Sequence, residues 1–145
     1  MKPSEIRALW DKDCQIDPTD YERAAIQKPR LHSKYLNMLI DVKLELRNAE
    51  IAFLNMRTLK GRYYSGELTK DELQERGWPQ YQKNKPLKTE LEKLLESDPD
   101  MMECVNRLEV LKVAQMQLEY ILKEVSGRDW TIRNAIEWHK FTQGG

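Results

Sequence analysis

The chain has 145 residues, 40% hydrophobic and 33% charged, with 24 lysines and arginines against 24 aspartates and glutamates. That is enough for one domain with its own core, and so high a charged fraction favours slender helices over a thick globule. Balanced charge excludes a long-range pull on nucleic acid or an anionic membrane, two cysteines without CxxC spacing exclude a disulfide framework, and no apolar run reaches spanning length or reads as a signal peptide, so a soluble cytoplasmic protein is expected.

In chain order, Ser4 is a candidate cap for a short helix through Trp10. Thr19 with Glu22 makes a capping box for a second short helix, which Pro29 is expected to break and restart. The main helix then runs over 29–66, a rod of roughly 50 Å at 1.5 Å per residue. Its apolar side repeats at Tyr35, Leu39, Val42, Leu46, Ala49, Phe53 and Met56, alternating steps of four and three as in a coiled-coil seam. Ser65-Gly66 ends it, because glycine adopts the left-handed cap conformation without steric cost. Thr69 with Glu72 opens a short charged helix to Gly77, "WPQYQKNKP" reads as an extended loop, and a helix from Pro86 lasts until Asp98-Pro99, so 67–98 is a stretch of short helices and loop.

A second seam follows over 99–126, with Met101, Cys104, Leu108, Leu111, Gln115, Leu118, Leu122 and Val125 at heptad positions. Gly127 stops it. Asp129 is the expected cap of a last helix within 128–141, where Trp130, Ile136, Trp138 and Phe141 concentrate aromatic and apolar area. The fold expected is all-α: one elongated helical domain over 1–145, with short N-terminal helices over 1–28, two long coiled-coil-like helices and short flanking ones. Leu36, Leu44, Ile51 and Leu54 fall outside the first stripe, and a chain this size can hardly cover every side, which favours a homo-oligomer. The alternative is that these residues contact the short helices at either end.

Catalytic signatures are missing from the sequence. There is no Gly-rich phosphate loop, no Ser, His and Asp arrangement, and no HExxH or Cys/His metal spacing. His32 and His139 stand alone, read as a surface residue and a partly packed one. The i, i+4 carboxylates Asp41/Glu45 and Glu92/Glu96 read as solvated helix faces. No enzyme, no metal and no cofactor are expected.

Charge is distributed unevenly. Residues 28–62 carry eight cations against three acids, whereas 63–100 carry nine acids against six bases. The basic part culminates in "RTLKGRYYSG" at 57–66. There Arg57, Lys60 and Arg62 can neutralise phosphates, Gly61 would admit a close backbone, and a tyrosine can stack on a base, the combination that holds single-stranded nucleic acid without reading sequence. Tyr63 continues the apolar seam in phase with Met56, which leaves Tyr64 as the freer ring. Cations here also suit the negative end of a helix dipole, so a purely structural reading stays open. Lys83 and Lys85, near Trp78 and Tyr81, give a second basic and aromatic cluster in the loop, unless Trp78 simply folds onto the adjacent helix.

"LKGRYYSG" at 59–66 resembles the LKAR and YYSG segments of the UvsY recombination mediators of tailed phages. "QID" at 15–17, "YERAA" at 21–25 and "HSKYLN" at 32–37 are similar to that family's strings in order and spacing, over roughly residues 13–141. The resemblance implies a non-enzymatic protein of the infected bacterial cytoplasm. It would bind single-stranded DNA as a ring of six or seven identical subunits, contact the single-strand binding protein and a RecA-like recombinase, and help the second replace the first in recombination, repair and replication. It implies DNA-binding roles for Lys60 and Arg62, and oligomerisation through the helix with Trp130, Ile136, Trp138 and Phe141. Gly61 stands where the family has alanine, and two residues between LKAR and YYSG are absent, a rotation of ~200° on a continuous helix; Arg57 is the candidate to share the role. The rival reading is a coiled-coil adaptor that joins protein partners and touches no nucleic acid.

Overall fold

A computed structural model describes residues 1–144. Six helices follow one another: α1 Pro3–Asp13, α2 Tyr21–Tyr64, α3 Lys70–Arg76, α4 Lys88–Ser97, α5 Pro99–Ser126 and α6 Arg128–Thr142. No strand occurs among the described residues. The chain groups into two compact units, one of Met1–Glu45 with the segment from Val110 onward, the other of Leu46–Glu109; α2 and α5 contribute to both.

Three expected boundaries are corrected. Pro29 lies inside α2 rather than between two helices. A proline removes one helical hydrogen bond and crowds the preceding turn, yet here its ring is exposed and Ala25, whose carbonyl loses its donor, is exposed to water. Buried Ala24 before it and buried Tyr35 after it hold the helix on both sides. The start of α2 is capped by Asp20, whose Oδ1 accepts from the Arg23 amide at 3.1 Å; Thr19 instead donates through its amide and hydroxyl to Asp17 Oδ1 at 2.8 and 2.6 Å. Asp129 is no cap either, since α6 begins at Arg128 and the Asp129 carboxylate takes Lys28 at 2.7 Å. Of the two histidines, His32 is the half-buried one and His139 the exposed one, the reverse of expectation.

The first unit is built around Ile6 of α1, Tyr35, Leu39 and Val42 of α2, Ala114, Leu118, Ile121 and Val125 of α5, and Ile132 of α6, all buried. Ala114, not Gln115, fills the inward position on that turn of α5, which leaves the Gln115 amide free to donate to Glu119 at 3.1 Å. Trp10 meets Tyr35 edge-on, with centroids 5.5 Å apart and planes at 89°. Arg128, only 5% exposed, donates to the carbonyls of Asp13 and Cys14 at 3.2 and 3.0 Å. Those carbonyls end α1, so a cation there meets both unsatisfied acceptors and the negative end of the dipole.

The second unit buries Ala49, Leu68, Leu73, Leu95 and Met101. Two of its helices end on left-handed glycines with both bonds of a Schellman turn. At Gly66 (φ 73°) the amides of Gly66 and Glu67 reach the carbonyls of Tyr63 and Arg62 at 3.1 and 2.9 Å. At Gly77 (φ 70°) the amides of Gly77 and Trp78 reach Gln74 and Leu73 at 3.2 and 3.0 Å. The second turn sets the direction in which Trp78 leaves α3. Thr69 caps α3 as expected, accepting from the Glu72 amide at 3.2 Å.

Candidate nucleic-acid interface

The stretch 57–66 closes α2 within the second unit, and the loop 78–87 folds onto it. The aromatic residues of the two clusters that lie about twenty residues apart in sequence therefore meet. Tyr63 lies 5.2 Å from Tyr64, 5.2 Å from Trp78 and 5.9 Å from Tyr81 between ring centroids, and Tyr64 meets Tyr81 edge-on at 5.1 Å and 89°. The Tyr63 hydroxyl donates to the Pro79 carbonyl at 2.7 Å, which ties the loop to the helix. Trp78 thus does fold onto the adjacent helix, while the lysines beyond it do not.

Lys60 was expected to meet phosphate, and the structure corrects this: it is 5% exposed. Its ammonium sits 3.1 Å from Asp98 Oδ2 and 2.8 Å from Asp100 Oδ2, and 4.0 Å from the centre of the Trp78 ring. Two carboxylates and an aromatic face leave a buried ammonium no reason to turn outward. Burial alone would lower its pKa, but the hydrogen bonds and charges of Asp100 and Asp98 outweigh it and hold the group protonated above its ordinary value.

Asp98 is the centre of the arrangement at 2% exposure. Its Oδ1 accepts from the amides of Asp100 and Met101 at 2.9 and 3.1 Å, capping α5 ahead of Pro99 in the first helical position. Its Oδ2 accepts from the Tyr64 hydroxyl at 2.6 Å as well as from Lys60. Burial pushes this carboxyl up, yet the donors from Tyr64, Lys60 and the Met101 amide win and place it below the usual aspartate range. Tyr64 responds in the opposite sense: burial first, then its bond to the Asp98 carboxylate, drive the phenol far above its normal value. Tyr64 is therefore not the freer ring, since its hydroxyl and its neighbours fix it in place.

Arg57 and Arg62 stay at the surface, each on a carboxylate. Arg57 Nη2 lies 2.8 and 2.7 Å from the two oxygens of Glu92, with about half of both side chains in solvent. The guanidinium of Arg62 spans both oxygens of Glu72 at 3.2 and 3.3 Å. Desolvation pushes the Glu72 carboxyl up, but Arg62 and Thr69 together hold it below the ordinary range. Glu92, read from its spacing as a solvated face, is thus an ion-pair partner; spacing along α4 carries no information about what approaches from α2. Lys83 and Lys85 are exposed and unpaired among the described residues. Lys83 lines an open depression of about 450 Å³ with Tyr81, Asn84, Pro86, Lys93 and Leu94. On α6 in the other unit, Trp130, Trp138 and Phe141 are 69%, 67% and 76% exposed, and Ile136 is half-buried. Trp138 and Phe141 stack on one another at 5.8 Å. No group of His, Cys, Asp and Glu among the described residues could hold a metal, and no helix there is long and apolar enough to cross a membrane.

Comparison with known proteins completes the description. The family model described as "Recombination, repair and ssDNA binding protein UvsY" matches residues 9–145. Two crystal structures of the bacteriophage T4 recombination mediator protein UvsY, in different lattices, share the fold. One gives a TM-score of 0.81 at 22% identity over 99% of both chains, the other 0.79 at 22% identity over 95% of this chain and 98% of that one. No curated protein sequence matches the chain.

Proposed function

Because the chain belongs to the UvsY family of recombination, repair and single-stranded-DNA-binding proteins, we propose that it is a recombination mediator that helps load a RecA-like recombinase onto DNA covered by single-strand binding protein. It works without catalysis or cofactor, in the cytoplasm of an infected bacterium. The observation that supports this reading is the packing of Trp78 and Tyr81, from the loop that carries exposed Lys83 and Lys85, against Tyr63 and Tyr64 at the end of α2, the stretch that also carries Arg57 and Arg62. Phosphates engage these four cations, bases stack on the aromatic rings, and Asp98 holds Lys60 and Tyr64 in place. Stacking of this kind contributes ~1 to 3 kcal/mol per base without sequence preference.

Each such grip is weak, so the reading includes a ring of subunits. Trp130, Trp138 and Phe141 are large apolar side chains left mostly exposed on one short helix, as at interaction sites, and Leu36, Leu44, Ile51 and Leu54 are exposed along α2, 38% to 61% each. Burying them between copies repeats the basic surface around the assembly, and linked weak sites gain avidity without new contacts. A net charge of zero keeps that grip reversible, since every phosphate contact is sensitive to salt.

The test is fluorescence anisotropy with labelled oligo-dT, together with light scattering. The parent protein should bind at low salt and weaken steeply as salt rises, and the Arg57→Ala/Arg62→Ala/Lys83→Ala/Lys85→Ala variant should lose at least tenfold in affinity. Trp138→Ser/Phe141→Ser should lower the mass of the assembly. An intact oligomer that binds no oligonucleotide would favour a helical adaptor joining protein partners instead.

A further inference from the structure

The exposed cations of the proposed DNA surface differ in one respect: the lysines of the loop are unpaired, whereas both arginines of α2 already hold a carboxylate. We propose that Glu92 and Glu72 are built-in competitors for the DNA backbone, so that a strand engages Arg57 and Arg62 by displacing them. This rests on the single-stranded-DNA reading and adds two affinity-setting residues to it.

The chemistry of exchange is favourable. A guanidinium presents the same planar donors to a carboxylate as to a phosphate, so a phosphate oxygen can take the place of a glutamate oxygen without rearranging α2. Both pairs are partly open to solvent, with side-chain exposures of 40% and 46% for Arg57 and Glu92, and 43% and 35% for Arg62 and Glu72. Exposed pairs are individually weak and screened by salt, so they open readily. The Lys60 pair, at 7% and 1% exposure against Asp98, is the contrasting case that stays closed. Once displaced, each glutamate stands as a free negative charge beside the strand and favours its release. A protein that must pass DNA on benefits from a competitor on its own surface.

Glu92→Gln and Glu72→Gln keep size and hydrogen-bonding capacity while removing the charge. Each is expected to tighten oligo-dT binding by about two- to five-fold, the range spanned by one exposed ion pair. Glu75→Gln, on the same short helix as Glu72, exposed and without a partner among the described residues, measures the general effect of removing one negative charge and should change affinity less. The decisive arm is the double substitution: in an Arg57→Ala background, Glu92→Gln should do no more than Glu75→Gln does. Equal gains for all three glutamines, or a gain from Glu92→Gln that survives loss of Arg57, would overturn the competitor role while leaving DNA binding intact. Absence of binding in the parent and in every glutamine variant would refute the DNA reading itself. Circular dichroism on each variant confirms that α3 and α4 remain folded.

Discussion

Each unit holds an aspartate at a helix end between a lysine and a tyrosine of α2. In the first, Asp13 Oδ2 takes the Lys34 ammonium at 2.6 Å and the Tyr35 hydroxyl at 2.7 Å. In the second, Asp98 Oδ2 takes Lys60 at 3.1 Å and Tyr64 at 2.6 Å. The chemistry is the same and the surroundings are not. The side chains of Lys34 and Asp13 are 41% and 18% exposed, whereas those of Lys60 and Asp98 are 7% and 1% exposed. Water can replace Lys34 if it leaves Asp13; nothing but protein can replace Lys60. Burial, rather than distance, decides which triad is an anchor.

Substitution should separate the two. Asp98→Ala removes the cap of α5 and strands part of a buried ammonium and a half-buried tyrosine hydroxyl, for a loss of about 3 to 5 kcal/mol. Asp13→Ala leaves Lys34 hydrated and costs chiefly the acceptor of the buried Tyr35 hydroxyl, for about 1 to 3 kcal/mol. Urea denaturation of both variants makes the comparison, and equal losses would show that burial is not what distinguishes the triads.

Acidity and alkalinity probe the same groups without mutation. Burial raises the carboxyls of Asp13 and Asp98, but their donors prevail and both end below the ordinary 3.8. A carboxyl lowered by folding contributes stability that is complete above the unfolded value and is lost as pH falls through the folded one. The phenols of Tyr35 and Tyr64, raised by burial and then by their aspartates, behave inversely: their contribution is complete below the ordinary 10.0 and is lost as pH climbs toward their raised values. Thermal melting should therefore show a plateau between about pH 4 and 10 on these groups' account, falling on both sides. The Asp98→Ala variant should fall less steeply on the acid side, because one of its acid-sensitive groups is already gone.

The contrast between the triads marks how far the residues speak for themselves. Helix ends governed by local chemistry were readable: Gly66, Gly77, Thr69 with Glu72, and the break at Asp98-Pro99 all follow from a few consecutive residues. The inward face of α2 was readable from its spacing, since Tyr35, Leu39, Val42 and Ala49 are buried where the periodicity places them. Pro29 was misread because local propensity says nothing about the packing of Ala24 and Tyr35 on either side. The role of Lys60 was misread for a deeper reason. Periodicity assigns a residue to a face, but the carboxylates that capture it come from 38 and 40 residues further along the chain, and nothing within 57–66 announces them. Arg57 and Arg62 remain at least partly open to solvent, yet their partners Glu92 and Glu72 were invisible for the same reason.

Gly61, between the buried lysine and the exposed arginine, gives the smallest test and one of opposite sign. A glycine in a helix interior is unfavourable relative to alanine by ~1 kcal/mol because the unfolded chain has more freedom to lose. A Cβ built at this position meets nothing within 4 Å, and the backbone is helical. Gly61→Ala should therefore stabilise the protein by about 0.5 to 1 kcal/mol. On the proposed DNA surface, where arginine tips rather than the helix backbone would take the phosphates, it should leave oligo-dT affinity unchanged. A gain in stability accompanied by a loss of affinity would mean instead that the strand passes directly over the main chain here, and that the missing side chain is itself part of the binding surface.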